Sequence, residues 1–360
     1  MSAYGLSPDK QAAQFVPPPV DYHPPYPKSY RPKIGVIGAG GISGSHLANY
    51  RTIGLDIVAI CDINPVTATA RRDEFFPQAR VGTHHRDILD DPEIAVIDIT
   101  AHPKDRIPIV REAIEAKKHI LSQKPFVLDL AEGRELVELA KRANIRLAVN
   151  QNGRWAPHFC YLRKAVATGM IGDIVSVDFT ALWDQTWIKG KPAFEDLHHM
   201  VLYDFAIHWF DILTCFLGDR RAESIFAEVT TFPGQVYRPP SQASVCVRYP
   251  GALARMGFNA HNPFGEEDST TIVGTKGLLR ARGPSLNKHS RIEIFTAEGF
   301  ASVELEGDWF TSGFQGSMGE LLCAIEENRE PENSAANNLA SLELCFAALT
   351  SADSGRPVSF

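Results

Sequence analysis

The sequence predicts an α/β protein: a doubly wound parallel sheet, then an α+β part with a large, mainly antiparallel open sheet. Three observations carry this. Residues 33 to about 150 alternate short β-branched runs with helical patterns, the order that gives a parallel sheet covered on both faces. Beyond Trp155 come Val-, Phe- and Thr-rich segments joined by turns such as Tyr249-Pro-Gly-Ala and Gly274-Thr-Lys-Gly, as in an antiparallel meander. The chain has 360 residues, enough for two domains. The expected division is an arm at 1–32, a first domain at 33–152 and a second at 153–360.

In the arm, eight of the 24 prolines (Pro8, Pro17, Pro18, Pro19, Pro24, Pro25, Pro27 and Pro32) exclude a helix or central strand and favour an extended segment. Its aromatics, Phe15, Tyr22, Tyr26 and Tyr30, suit either a free tail or an arm laid on the body or a neighbouring subunit. Strands are expected at 33–37, 56–61, 95–100, 118–122 and 146–149, and helices at 42–51, 66–75, 105–116 and 129–143. The run Ala95-Val-Ile-Asp-Ile-Thr is almost continuously apolar, as a fully buried parallel strand should be. A helix near 157–168 opens the second part. Strands follow at 174–183, 223–232, 243–249, 252–259, 269–273, 291–296 and 301–305, with helices at about 199–217, 309–328 and 337–353.

A formal charge of −7, with no basic run, argues against nucleic-acid binding. No apolar stretch is long enough to span a bilayer, and the N-terminus lacks a signal-peptide core. Six scattered cysteines with no C-x-x-C pair read as reduced thiols in a cytoplasmic protein.

The richest stretch is Lys33-Ile-Gly-Val-Ile-Gly-Ala-Gly-Gly-Ile-Ser-Gly-Ser-His. A strand enters a turn at Gly38, Gly40 and Gly41, and a helix leaves it through Ile42 and Ser43. That order presents free backbone N–H groups and a helix N-terminus to a pyrophosphate. Asp62 ends the next strand, about twenty residues on, where a carboxylate holds adenosine ribose hydroxyls and repels a 2′-phosphate. It suits a turn carboxylate as well. These features favour NAD over NADP.

Lys124, in Leu-Ser-Gln-Lys-Pro, lies past the fifth expected strand, at the end of the sheet where ligands bind. Its ammonium could stabilise a developing alkoxide. Asp204 and His208 lie four apart in an apolar helix, so they should share a face, with the carboxylate orienting a proton-accepting imidazole. His198 and His199 join them in a loose group of potential metal ligands, but no zinc spacing is present and no metal is expected. Asn152, Arg154 and Trp155 sit at the domain junction, a favoured pocket wall. Arg154 suits a salt bridge between domains equally well. Thr100 ends the 95–100 strand and His102 follows it; His102 either borders the cofactor or caps the next helix. Trp187, in a polar–aromatic loop with Asp184 and Lys191, could cover a sugar.

Taken in order, the glycine loop followed by His46, Lys124-Pro125 and Asp204-x-x-x-His208 resemble the glucose–fructose oxidoreductase and inositol dehydrogenase family (Gfo/Idh/MocA). Gly274-Thr-Lys-Gly, Arg329-Glu-Pro-Glu-Asn and Ser354-Gly-Arg-Pro-Val add to the likeness, which covers about residues 33 to 360. The resemblance implies a Rossmann domain, a C-terminal domain whose open sheet often forms a subunit interface (a homo-oligomer), and NAD(P) chemistry on a carbohydrate or polyol. It implies that Lys124 contacts the reacting hydroxyl and the nicotinamide ribose, that His208 transfers the proton, and that Asp204 is its acidic partner. Gln123 stands where the commoner motif has Glu, which removes a carboxylate beside Lys124. Expected cofactor contacts are therefore Gly38, Gly40, Gly41, Ile42, Ser43, Asp62, Thr100, His102, Gln123 and Lys124. Expected substrate contacts are Lys124, Asn152, Arg154, Trp155, Trp187, Asp204 and His208. The leading reading is an NAD-dependent dehydrogenase acting on CH–OH groups. Its rivals are a glycoside hydrolase working by transient sugar oxidation and a non-catalytic NAD-binding regulator.

Overall fold

The structure, a computed structural model, describes residues 13–360; the first twelve residues of the expected arm lie outside the described part. The first part contains β1 (Lys33–Ile37), α1 (Ser43–Thr52), β2 (Asp56–Cys61), α2 (Pro65–Phe75), β3 (Arg80–Gly82) and α3 (Arg86–Leu89). It continues through β4 (Ile94–Ile99), α4 (Pro103–Glu115), β5 (His119–Ser122), α5 (Leu130–Ala143) and β6 (Leu147–Val149). These strands form a six-stranded sheet in the order β3-β2-β1-β4-β5-β6, parallel throughout. The order reverses between β1 and β4, so the strand ends there open the crevice in which such sheets bind ligands. Local chemistry sets the helices. Asn64 caps α2 by accepting from Val66 N–H, with Pro65 at its first position. Asp129 caps α5, which ends at left-handed Asn144.

The second part contains α6 (Pro157–Ala167), β7 (Ile174–Leu182), α7 (Pro192–Glu195), α8 (Ile207–Leu217) and β8 (Ser224–Thr230). Then come β9 (Gln242–Tyr249), β10 (Ala252–Asn259), β11 (Glu267–Gly274), β12 (Gly277–Gly283), β13 (Arg291–Thr296) and β14 (Gly299–Glu304). The chain closes with α9 (Trp309–Glu326), α10 (Ala335–Ser354) and β15 (Val358–Ser359). The nine strands run β14-β13-β12-β11-β7-β10-β9-β8-β15. Every neighbouring pair is antiparallel except β7 with β10.

Six elements differ from the sequence expectation. β3, α3, α7 and β15 are too short to show a period. β12 carries Arg280 and Arg282 between terminal glycines, and its strand geometry comes from pairing with β11 and β13. The single helix expected at 199–217 is broken. Val201–Phe205 forms a π turn closed by Ala206 N–H on Val201 C=O (2.8 Å), and only then does α8 begin.

Helix α9 belongs to the core of the first sheet despite its late place in the chain. Met318, Leu321 and Leu322 pack with Ile34, Val36, Leu47, Tyr50 and Val96. Its glycines let Trp155 and the arm approach closely: a Cβ on Gly316 would stand 2.2 Å from Trp155 Cγ, and one on Gly319 2.0 Å from Pro25 C=O. Trp155, expected against substrate, is therefore a core residue, 2 % exposed. Arg154 is also corrected. Its guanidinium is buried and grips Asp211 of α8 through Nε and Nη2 (both 2.6 Å), with Asn337 Oδ1 (2.7 Å) and Glu332 C=O as further acceptors. These contacts engage four of its five N–H groups within the protein, as a buried charge requires.

The described part of the arm lies on the body of its own chain. Phe15 N–H bonds Phe300 C=O (3.2 Å), Lys164 Nζ bonds Asp21 C=O (2.6 Å), and Tyr26 OH bonds Gln315 Oε1 (2.8 Å). Glu326, at the end of α9, accepts the N–H groups of Lys28, Ser29 and Tyr30 and the Ser29 hydroxyl. These bonds, the Ser29 hydroxyl's first, pull its carboxyl down to about 2.

Two outcomes are expected. Glu326→Ala accelerates amide exchange at residues 28–30 and leaves core exchange unchanged. In the intact protein the same release sets in as pH falls from the ordinary Glu value, ~4.3, because a lowered native pKa favours the anchored state only above it. Asp211→Ala strands the buried Arg154 and costs about 3–5 kcal/mol, read as a lower urea midpoint. Asp211→Leu combined with Arg154→Met recovers most of that loss.

Candidate active site

The glycine turn sits between β1 and α1. Gly38, at φ +99°, donates to Cys61 C=O (2.8 Å), and a Cβ there would stand 2.8 Å from Ala101 N. At Gly40 and Gly41 the space a Cβ would take is open to 4 Å. Ser43 is buried and donates to Gly40 C=O (2.7 Å). Among the described residues no side chain caps α1 at Ile42; Gly44 N–H and Ser45 N–H close the first turn on Gly41 and Ile42 C=O (3.3 and 3.0 Å), which leaves the Ile42 and Ser43 N–H groups for an anion. The residues present thus fit a dinucleotide pyrophosphate. Thr100 Oγ1 donates to Gly38 C=O (2.6 Å), tying β4 to the turn. Asp62 accepts Ala39 N–H (2.7 Å) and Asn64 N–H (2.9 Å), so it closes the turn from the end of β2. Each of its oxygens keeps a lone pair for a ribose hydroxyl. His102 is exposed and precedes α4 without capping it through its side chain.

Lys124 lies just beyond β5, before a cis peptide to Pro125. Its ammonium crosses to the second part and binds Asp204 twice, at the carboxylate (2.9 Å) and the backbone carbonyl (2.7 Å). This corrects the expected Asp204–His208 pair: the two share no hydrogen bond. The π turn is the physical reason, because the four-residue spacing crosses the end of one helical form and the start of another. His208 instead stands edge-on to Trp309, with ring centroids 5.4 Å apart and planes at 86°. Its Nδ1 is buried without a partner among the described residues. Burial first, and the Lys124 charge second, push its pKa well below the ordinary histidine value, so the imidazole is neutral at neutral pH.

Asn152 is buried and accepts Trp309 Nε1–H (3.2 Å), which fixes the indole against His208. Trp187 stays half exposed, with the Lys191 ammonium 4.4 Å from its ring centroid. His198 and His199 do not join Asp204 and His208; both place Nε2 on Asp353 Oδ1 (2.7 and 2.8 Å). A second group, His158, Asp268 and His289, is fully buried behind Trp309. Its two imidazoles stack at 3.7 Å and 12°. Their in-plane lone pairs therefore do not converge on one ion.

Sequence reasoning missed two supports of Lys124. Arg106 of α4 is buried and donates to Ala101 C=O (2.7 Å) and Pro125 C=O, fastening the chain just beyond β4 to the chain just beyond β5. Burial lowers its pKa to about 9. The signal was its place on the buried stripe with Ile107, Val110, Ala113 and Ile114. The other support lies beneath Gln123, where buried His46 of α1 meets Asp98 of β4, Tyr50 and Asn150. Its signal was an Asp inside an otherwise apolar strand.

Comparison with known proteins gives the family. Residues 32–151 match the family model described as oxidoreductase family, NAD-binding Rossmann fold, and residues 159–280 match the GFO/IDH/MocA C-terminal domain. The chain is 26 % identical to a D-apiose dehydrogenase of Paraburkholderia graminis, over 91 % of this chain and 89 % of that one. It is 24 % identical to an inositol 2-dehydrogenase of Rhizobium meliloti, over 91 % and 98 % of the two chains. An oxidoreductase from Agrobacterium radiobacter, solved in complex with NAD+, L-tartaric acid and magnesium, superposes with a TM-score of 0.82. That match has 22 % identity and covers 92 % of this chain and 98 % of the other. An NAD-ready glycine turn and two successive domain models of one family place this chain in the Gfo/Idh/MocA family of oxidoreductases.

Proposed function

We propose that this protein is an NAD-dependent dehydrogenase that oxidises a carbinol carbon of a sugar, glycoside or polyol. The observation that carries the reading is the meeting of Lys124, from the end of β5, with Asp204 and a neutral His208 from the second part. The names of relatives, a D-apiose dehydrogenase and an inositol 2-dehydrogenase, support the substrate class.

NAD bound at the glycine turn supplies the hydride acceptor. Asp62, at the end of β2, favours NAD over NADP by disfavouring a 2′-phosphate. His208 accepts the hydroxyl proton, a role its unprotonated state suits. Lys124 donates a hydrogen bond to the oxygen as alkoxide character develops. Asp204 serves the lysine, not the histidine: it draws the ammonium across the crevice and holds it there. The indole of Trp309, fixed by Asn152, limits the rotation of His208 and keeps water off one edge of it. Residues 33–152 would carry the cofactor, and residues 153–360 would shape the substrate.

A panel of inositols, pentoses, anhydrosugars and aryl glycosides with NAD tests the reading through NADH formed per substrate consumed. Equal amounts support the dehydrogenase; aglycone release without net NADH supports the redox hydrolase. His208→Ala should lower kcat by about 10²–10⁴ and leave NAD affinity unchanged. Because the neutral imidazole is the active form and its pKa is lowered, kcat/KM for the substrate stays level as pH falls through the ordinary histidine value, ~6.5. It declines only at more acidic pH. An acid limb at or above that value contradicts the assignment.

A further inference from the structure

Gln123 is buried, and both ends of its amide are engaged. Oε1 accepts Lys124 N–H (2.7 Å). A backbone N–H can only donate, so this contact fixes which end is oxygen and turns the NH₂ group to His46 Nε2 (3.0 Å). Asn150 Nδ2 lies 3.1 Å from the same nitrogen. A ring nitrogen that accepts from amide donors carries no proton, so the His46 proton is on Nδ1, where Asp98 Oδ2 accepts it (2.7 Å). Tyr50 OH donates to that same oxygen (2.8 Å). Among the described residues, Asp98 and Tyr50 are the only titratable groups on the ring; Gln123 and Asn150 are neutral, and Phe314 packs at 4.7 Å. Asp98, His46 and Gln123 thus form one directed chain of buried hydrogen bonds that ends on the backbone of Lys124.

We propose that Gln123 is a positioning residue for Lys124, and that this chain of the family uses an amide there because His46 is held as the neutral Nδ1–H tautomer. Only a side chain that accepts on one end and donates on the other satisfies both neighbours. A glutamate of the same shape accepts from Lys124 but cannot donate to His46. It would draw a second proton onto the ring and leave an imidazolium between two buried carboxylates. The positioning role rests on the function proposed for Lys124; the tautomer does not.

Nitrogen-15 NMR of histidine-labelled protein reads the tautomer directly. The wild type should show His46 protonated on Nδ1 alone, and Gln123→Glu should show both nitrogens protonated. The same variant should lose at least tenfold in kcat with NAD affinity unchanged. Adding Asp98→Asn should restore most of that loss. The introduced asparagine amide can then donate to Nδ1 while the introduced glutamate carboxylate accepts from Nε2–H, so the neutral ring is kept with its direction reversed. If Gln123→Glu fails to fold, recovery of a folded, active double variant is the same result. Wild-type His46 protonated on Nε2, a Gln123→Glu enzyme as fast as wild type, or a double variant no better than the single each overturns the proposal. So does a drop in NAD affinity, which would put Gln123 on the cofactor instead. An active His208→Ala enzyme would reject the proposed function while leaving the His46 tautomer to its own test.

Discussion

The contact between Lys124 and Asp204 is the constraint around which the rest of the site is arranged. The lysine leaves the end of a parallel strand, and the aspartate comes from a turn in the other half of the chain. Their two hydrogen bonds, one to a carboxylate and one to a carbonyl, hold the ammonium between the two halves of the chain. Both side chains are about four-fifths buried, at 18 % and 20 % exposure. The pair is screened less than a surface pair, yet it remains open enough for a ligand to reach it. Its charge also reaches His208 and reinforces the effect of burial in keeping that imidazole neutral.

Several distant features hold the ends of that pair still. Arg106 ties Pro125 and Ala101 from below. Gln123 and His46 hold the Lys124 backbone from behind. On the other side, Asp211 of α8 binds Arg154, while α9 seals the first sheet and carries Trp309 at its start. The arm then crosses α9 and is pinned by Glu326. The two halves are joined less by a flat interface than by elements of one half built into the core of the other.

The sequence made the sheets legible because buried strands are continuous apolar runs and exposed ones alternate. β1 and β10 match the expected spans, whereas β12 is hidden by its two arginines and its glycines. The glycine turn was legible because backbone geometry demands those residues there. The partner of Asp204 was not. A count of four residues is the same in an α-helix and across a π turn, and only packing decides which forms. Arg154 and Trp155 were misread for a related reason: a polar or aromatic residue at a junction can face a ligand or the other half, and nothing local separates the two. The His46–Gln123 chain joins residues 77 apart and existed in the sequence only as isolated polar letters.

The most direct test of this account is a double-mutant cycle on kcat/KM with Lys124→Met, Asp204→Asn and the combined variant, all with His208 intact. If Asp204 works through Lys124, the second substitution adds little to the first, with a coupling of at least about 1.5 kcal/mol, roughly tenfold. Additive losses, each substitution costing the same whether or not the other is present, would contradict it and return Asp204 to an independent role beside His208.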